Sequence, residues 1–235
     1  MKMNGKLYLI PTPLGDYPPQ AVLPQATLDL LKGISLYFVE ELRTARRFLS
    51  AAGLKGHIEE LELHEINEHS TPEEISSLAS LLGSRDAALI SEAGLPAVAD
   101  PGAQLVAQAH SKGVEVIPQS GPSSLMMALM SSGLNGQCFA FAGYLPVKPE
   151  QRKAALAERE RRSAREGEAQ IMIETPYRND SLLADILSTC KPSTRLCIAA
   201  DITLPTAMIC TKTVALWRRQ VPVIGKRPCV FIIQA

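Results

Sequence analysis

The chain has 235 residues, 46% of them hydrophobic, and its 24 Lys and Arg balance its 24 Asp and Glu, so the formal net charge is zero. That length holds one large domain or two small ones with a real core, and a neutral chain has no global field drawing it to nucleic acid or anionic membrane, which leaves only local patches. No run comes near the roughly eighteen apolar residues of a membrane span, and the opening MKMNGKLYLIPTP has neither the apolar length nor the small-residue site of a signal peptide, so neither is expected.

Residues 6–10 (KLYLI) read as a first strand, broken sharply at Pro11-Thr12-Pro13-Leu14-Gly15-Asp16. That loop has neither the G-x-x-x-x-G-K-[ST] spacing of a phosphate loop nor the G-x-G-x-x-G of a dinucleotide fold. Residues 25–32 read as a helix and 34–39 as a strand. Glu40-Glu41-Leu42-Arg43 then leads into a helix over 44–52, closed by Gly53. In 61–70 (LELHEINEHS) polar residues crowd behind an extended segment, and His64, Glu65, Asn67 and Glu68 form either a substrate-facing cluster or a solvated loop. Residues 87–90 (AALI) have the character of a buried strand. A segment of small residues follows, with Gly94, Pro96, Pro101 and Gly102, and a helix over 103–111 has Asp100 at its N-cap and Pro101 in its first turn. The strand at 114–117 runs into Ser120-Gly121-Pro122-Ser123-Ser124 and a helix over 122–133. Two successive strands thus end in small-residue loops that open helices. In an open α/β sheet ligands bind beyond the carboxyl ends of the strands, and small residues there let backbone groups approach the ligand.

Strands and helices alternate up to residue 118, as in a mostly parallel sheet. Further strands are expected at 137–144, 169–174, 194–200, 207–214 and 228–234, with helices at 148–167 and 178–189 and a short one around Trp217. Strands following one another this closely predict a mixed α+β sheet, so the expected domains are 1–118 and 119–235, with a tight joint near 118–122. The 148–167 helix nearly balances its Glu and Arg, the pattern of a solvated face, and neighbouring glutamates weaken the patch of Arg159, Arg161, Arg162 and Arg165. Cys138, Cys190, Cys197, Cys210 and Cys229 are odd in number and form no C-x-x-C pair. With four histidines in no ligand pattern, they predict a reducing cytoplasm, no disulfide framework and no metal.

Seven stretches spread along the chain, LYLIPTPLGD (7–16), EELRTARRFL (40–49), HEINE (64–68), LISEAGLPAVADPG (89–102), PQSGPSSLMMAL (118–129), FAGYLP (141–146) and IETPYR (173–178), share one family pattern. They resemble the tetrapyrrole methylase-like S-adenosylmethionine-dependent methyltransferases, most of all the ribosomal RNA small-subunit methyltransferase I branch. The resemblance implies a two-domain α/β tetrapyrrole methylase-like fold with S-adenosylmethionine in the cleft between the domains, usually within a homodimer. By the same resemblance Pro11, Ala93, Gly94, Leu95, Val98, Ser123 and Ser124 contribute to the cofactor site from the first half and the hinge, and Glu174, Leu204, Pro205 and Thr206 from the second. A sulfonium methyl is already electrophilic, so such a site mainly holds the acceptor in line, and a hydroxyl acceptor also needs a base. His64 and Glu65 are the candidate bases, with Glu41 and Arg43 orienting the acceptor or pairing with its charge.

The chain departs from the branch where the acceptor is concerned. Leu42 replaces a Thr, Ile66 replaces a second His, AADITLP (199–205) lacks an Arg and a Lys, and the sequence stops at Ala235, short of the branch's C-terminal extension. The cofactor pattern is intact. Three outcomes are consistent with this: 2'-O-methylation of a cytidine ribose in ribosomal RNA of the 30S subunit, methylation of a tetrapyrrole or other small molecule, or a non-catalytic cofactor-binding module.

Overall fold

Ten short strands form two sheets in the computed structural model, which describes residues 5–235. The chain divides into one unit running through Ser123 and a second, Ser124–Ala235.

In the first unit β1 (Leu7–Ile10), β2 (Leu36–Val39), β3 (Glu62–Glu65), β4 (Ala87–Ile90) and β5 (Val116–Pro118) lie in the order β3-β2-β4-β1-β5, all parallel. Strands β2 and β4 are buried on both faces, which is why they read as unbroken apolar runs. Tyr37 and Val39 point to one face, under α1 (Gln25–Leu31) and α2 (Leu42–Leu49). Leu36 and Phe38 point to the other, where Ile75 of α3 (Pro72–Leu78) and Leu105 of α4 (Ala103–Ser111) complete the core. Helix α2 starts two residues earlier than the sequence suggests because the Glu41 carboxylate caps it, accepting from the N–H groups of Arg43 (2.8 Å) and Thr44 (2.7 Å). It stays regular to Leu49 and then widens over Ser50–Leu54, where Gly53 has a φ of 110°. Helix α4 is not capped by Asp100; its N-cap is Gly102. The Asp100 carboxylate acts one turn earlier, accepting from Ala97 and Gly102 N–H.

The second unit carries α5 (Ser124–Ser132), β6 (Phe139–Tyr144), α6 (Pro149–Glu166), β7 (Ala169–Ile173), α7 (Asn179–Thr189), β8 (Arg195–Ala200), β9 (Met208–Thr213), α8 (Val214–Arg219) and β10 (Cys229–Gln234). Its sheet runs β6-β7-β10-β8-β9, with one parallel pair, β6–β7, and antiparallel pairs elsewhere. Leu156, Leu182, Ile186 and Trp217 from its helices bury Met172, Ile198 and Phe231 of the sheet. Helix α6 is less solvated than its sequence suggests. Arg152, Leu156, Glu160 and Ser163, spaced as one helical stripe, are all buried. Arg152 donates to Asp185 Oδ2 (2.6 Å) and to Val147 O (3.1 Å), while Glu160 Oε1 accepts from Lys191 N–H (2.7 Å) and the Thr194 hydroxyl (2.5 Å).

All five cysteines are free thiols. Burial pushes the thiols of Cys190 and Cys229 up to about 12, which leaves them protonated and unreactive near neutrality. Among the described residues no helix is long and apolar enough to cross a membrane.

Candidate active site

Parallel pairing brings the carboxyl ends of β1, β2, β3 and β4 to one edge of the first sheet, with Ile10 beside Ile90 and Val39 between Ile90 and Glu65. Beyond that edge the loops after β1 and β4 clasp each other. Thr12 N–H donates to Gly94 O (2.9 Å) and Gly94 N–H to Thr12 O (3.1 Å), and the Thr12 hydroxyl reaches Ser91 O (3.3 Å). Gly94 has a φ of 78°, and a Cβ there would lie 3.1 Å from Leu14 and 3.5 Å from Pro122 O. Gly121 is closer still, since its Cβ would stand 2.3 Å from Pro11 Cβ. Pro11, Gly94 and the segment leading to Ser123 are therefore brought together by contacts that only small residues permit. Ala93 and Val98 are exposed on the same loop as half-buried Leu95. A cavity of about 580 Å³ opens here, lined by Thr12, Tyr17, Thr44, Arg47, Glu92 and Ala93 among others.

Carboxyls gather at the same edge; the sequence offered Glu40 in the charged turn after β2 and Asp100 as a helix cap, but not Glu92 or their common place. Glu40 follows β2 and accepts from Glu92 N–H through Oε2 (3.0 Å). Its own carboxyl is held above the usual range mainly by burial, with Asp100 and Glu68 adding to the effect. Burial and the neighbouring Glu40 likewise raise Glu92, and burial raises Asp100 against two N–H donors. The available signal was that Glu40 and Glu92 each follow a buried strand within two residues; what the sequence lacks is the pairing of β2 with β4. Glu41 is lowered, chiefly by the Thr44 hydroxyl and then by the two N–H groups that it caps.

The two candidate bases stand at the end of β3. His64 stacks on Phe38, with ring centroids 5.9 Å apart, and its Nε2 lies 2.7 Å from Glu62 Oε1. Glu65 Oε1 accepts from the Asn67 amide (2.5 Å). Both line a separate hollow of about 520 Å³ with Asn67, His69 and Glu74. Because β2 lies between β3 and β4, Glu65 is roughly 10 Å from Ile90 across the sheet, so the structure does not bring the bases to the Ala93–Gly94 loop directly. Ile66 is a core residue, 1% exposed, under α3 and α4. Arg43, Arg46 and Arg47 are exposed on α2.

Glu174, Leu204, Pro205, Thr206 and Ser124 belong to the second unit. The Glu174 side chain is fully buried behind β7, its Oε1 taking both Arg178 donors (3.0 and 2.5 Å) and Thr175 N–H (2.7 Å), while its Oε2 has no partner. Leu204 to Thr206 lie in the turn between β8 and β9. There the Thr206 hydroxyl donates to Asp201 Oδ2 (2.8 Å) and Arg227 bridges Asp201 Oδ2 (2.6 Å) and Thr206 O (2.6 Å). Ser124 opens α5. Among the described residues no group of three or more His, Cys, Asp or Glu could hold a metal ion.

No protein-family model matches the chain. It is 32% identical over 197 residues to "Ribosomal RNA small subunit methyltransferase I" of Vibrio cholerae, which covers 84% of this chain and 65% of that protein. To the protein of the same name from Xylella fastidiosa it is 34% identical over 203 residues, 85% of this chain and 69% of that one. The chain thus spans about two thirds of the length of these relatives. A solved uroporphyrin-III C-methyl transferase of Thermus thermophilus, complexed with S-adenosyl homocysteine, aligns with a TM-score of 0.57 over 98% of this chain and 97% of that one. At 18% identity the likeness is one of fold: two α/β units, each with a five-stranded sheet.

Proposed function

Because the chain belongs to the family of ribosomal RNA small subunit methyltransferase I, we propose that it transfers a methyl group from S-adenosylmethionine to the 2'-hydroxyl of a cytidine ribose in small-subunit ribosomal RNA. The strand-end loops of the first unit fit such a cofactor. Gly94 and Gly121 pack where any Cβ would intrude, and Ala93 leaves the neighbouring backbone open to read an adenosine and an amino-acid tail. Pro11, Ala93, Gly94, Leu95, Val98 and Ser123 would hold it from this unit, and Ser124, Glu174, Leu204, Pro205 and Thr206 are the residues of the second unit proposed for the same ligand. When bound, the cofactor supplies an electrophilic methyl group. The chain's own tasks are to orient the ribose hydroxyl and take its proton. His64 and Glu65 are proposed for the proton, and Arg43 with Glu41 for orientation. A cytoplasmic homodimer goes with this reading.

The arginine face of α2 carries the choice of RNA. Arg43, Arg46 and Arg47 are exposed at i, i+3 and i+4, so they share one side of the helix. No ion pair among the described residues takes up Arg46 or Arg47, and Arg47 lines the 580 Å³ cavity. On α6, by contrast, Arg161, Arg162 and Arg165 are committed to Glu158, Glu168 and Glu166. Of these two arginine groups, the one on α2 keeps Arg46 and Arg47 available for phosphates, while on α6 only Arg159 is outside an ion pair among the described residues.

Methyl transfer from labelled S-adenosylmethionine to under-methylated 30S subunits tests the proposal, and transfer to a tetrapyrrole in its place would overturn the choice of acceptor. Replacing Arg46 and Arg47 by alanine is expected to weaken 30S binding at least about tenfold and to reduce the salt slope by roughly two. Binding of S-adenosylhomocysteine should stay as it was. His64→Ala and Glu65→Ala are compared in the same assay, where loss of the base lowers turnover by about 10²- to 10⁴-fold; full turnover in both variants would remove these residues from that role.

A further inference from the structure

Tyr177 is 79% exposed, in the middle of the turn Pro176–Arg178 that leads into α7. A singly exposed aromatic needs no explanation, but this one stands in a built frame. Asn179 and Asp180, just after it, lock the turn to residues 224–227 at the entrance to β10. Asn179 is buried, and its Nδ2 donates to Gly225 O (3.1 Å) and Arg227 O (2.7 Å). The Asp180 carboxylate accepts from Ile224 N–H (2.8 Å) and Gly225 N–H (3.2 Å). These ties bring Lys226 over the tyrosine, its Nζ 4.9 Å from the ring centroid, within the range of a cation–π contact. The flanking arginines are committed, Arg178 to Glu174 Oε1 (2.5 Å) and Arg227 to Asp201 Oδ2 (2.6 Å), whereas no ion pair among the described residues takes up Lys226.

We propose that Tyr177 and Lys226 form a stacking platform for single-stranded RNA, the ring taking one unpaired base and the ammonium an adjacent phosphate. Single-stranded RNA is the form whose bases can be splayed onto an aromatic ring, and every base has a π-face, so the platform tolerates any sequence. The ring and the cation are set side by side before a ligand arrives, so binding does not have to order the two segments that carry them. The same frame reaches the second-unit residues proposed for the cofactor. Arg178 holds Glu174, and Arg227 Nη2 donates to Thr206 O (2.6 Å). A strand held on Tyr177 is thereby kept beside the residues proposed to close on the methyl donor. That the strand is RNA rests on the function proposed above; the seating of ring and ammonium in one frame does not.

The test titrates the full chain into a short single-stranded oligoribonucleotide carrying 2-aminopurine, whose fluorescence is quenched on stacking. Tyr177→Phe, Tyr177→Ala and Lys226→Gln are compared with wild type, and their Tm values, expected to be unchanged at these exposed positions, check the fold. Saturable quenching is expected in wild type and in Tyr177→Phe, which keeps the ring. Tyr177→Ala should lose the quenching and bind about 5- to 150-fold more weakly, the usual consequence of removing one base–aromatic stack. Lys226→Gln should reduce the slope of log affinity against log salt by roughly 0.7, the share of one phosphate on a single strand. Equal affinity in Tyr177→Ala and wild type, or an unchanged salt slope in Lys226→Gln, would overturn the proposal. So would a wild type that ignores the oligonucleotide and binds a tetrapyrrole through Tyr177. Methylation of 30S subunits is followed in the same preparations. If Tyr177→Ala methylates them with the KM of wild type, the platform falls and the proposed function stands. If wild type binds the oligonucleotide through Tyr177 and methylates no 30S subunit, that function falls and the platform stands.

Discussion

Replacing Asp185 by alanine is expected to destabilise the second unit by about 3–5 kcal/mol, the usual consequence of leaving one member of a buried ion pair alone. The side chains of Arg152 and Asp185 are 5% and 11% exposed, with Nη2 to Oδ2 at 2.5 Å. Among the described residues Arg152 otherwise has only the carbonyl of Val147, and Lys153, 3.5 Å from Asp185 Oδ1, is half exposed and can turn to water. A guanidinium left at that position stays desolvated without a counter-charge. The double variant Asp185→Leu with Arg152→Met removes both charges and is expected to recover most of the loss. Urea unfolding followed by tryptophan fluorescence reports on this unit directly, because Trp217 lies in its core. An Asp185→Ala variant within about 1 kcal/mol of wild type would mean that the pair is hydrated and structurally dispensable.

The second large effect falls on the first unit. Gly121→Ala puts a methyl group 2.3 Å from Pro11 Cβ, 2.6 Å from Pro11 Cγ and 3.2 Å from a Leu23 methyl. A proline ring cannot turn away as a long side chain would, so the backbone must move. Overpacking of this kind costs about 1–3 kcal/mol, and the displaced segment is the one proposed to hold the cofactor. A lower Tm is expected together with at least about tenfold weaker S-adenosylhomocysteine binding, some 1.4 kcal/mol. Gly113→Ala is the control. Its φ is positive, at 69°, unlike that of Gly121, and a Cβ there meets nothing within 4 Å, so the change should lower stability and leave binding intact. Equal loss of affinity in both variants would refer the effect to general destabilisation rather than to the Pro11 contact.

What was legible in the sequence follows from how local each signal is. The buried strands could be read because LYFV and AALI are apolar throughout, and their alternation with helices correctly implied the parallel sheet. Helix α3 went unseen although Thr71-Pro72-Glu73-Glu74 spells its capping box, with the Thr71 hydroxyl on Glu74 N–H and the Glu74 carboxylate on Thr71 N–H. Strand β3 reads poorly because ELHE is a polar edge strand with no apolar pattern to mark it. The charges of α6 looked solvated because nothing in one segment reveals a partner such as Asp185, which arrives from another helix. The same limit hid the bond from Glu92 N–H to Glu40, 52 residues apart in the chain and brought together by the pairing of β2 with β4.

The strand order of the second sheet also constrains how a ribosome can deliver this protein. The first unit has its final strand by Pro118, so everything it needs leaves the exit tunnel early. The second cannot follow suit, because its middle strand, β10, is synthesised after the four strands it joins. Until Cys229–Gln234 emerges, β6 and β7 form one ribbon, β8 and β9 another, and the apolar edges of β7 and β8 face an empty lane. A nascent chain paused within that interval exposes two sticky edges beside an already finished neighbour. Chaperone demand should therefore peak while β10 is still being made, and a nonsense codon just before residue 229 should leave the second sheet without its centre.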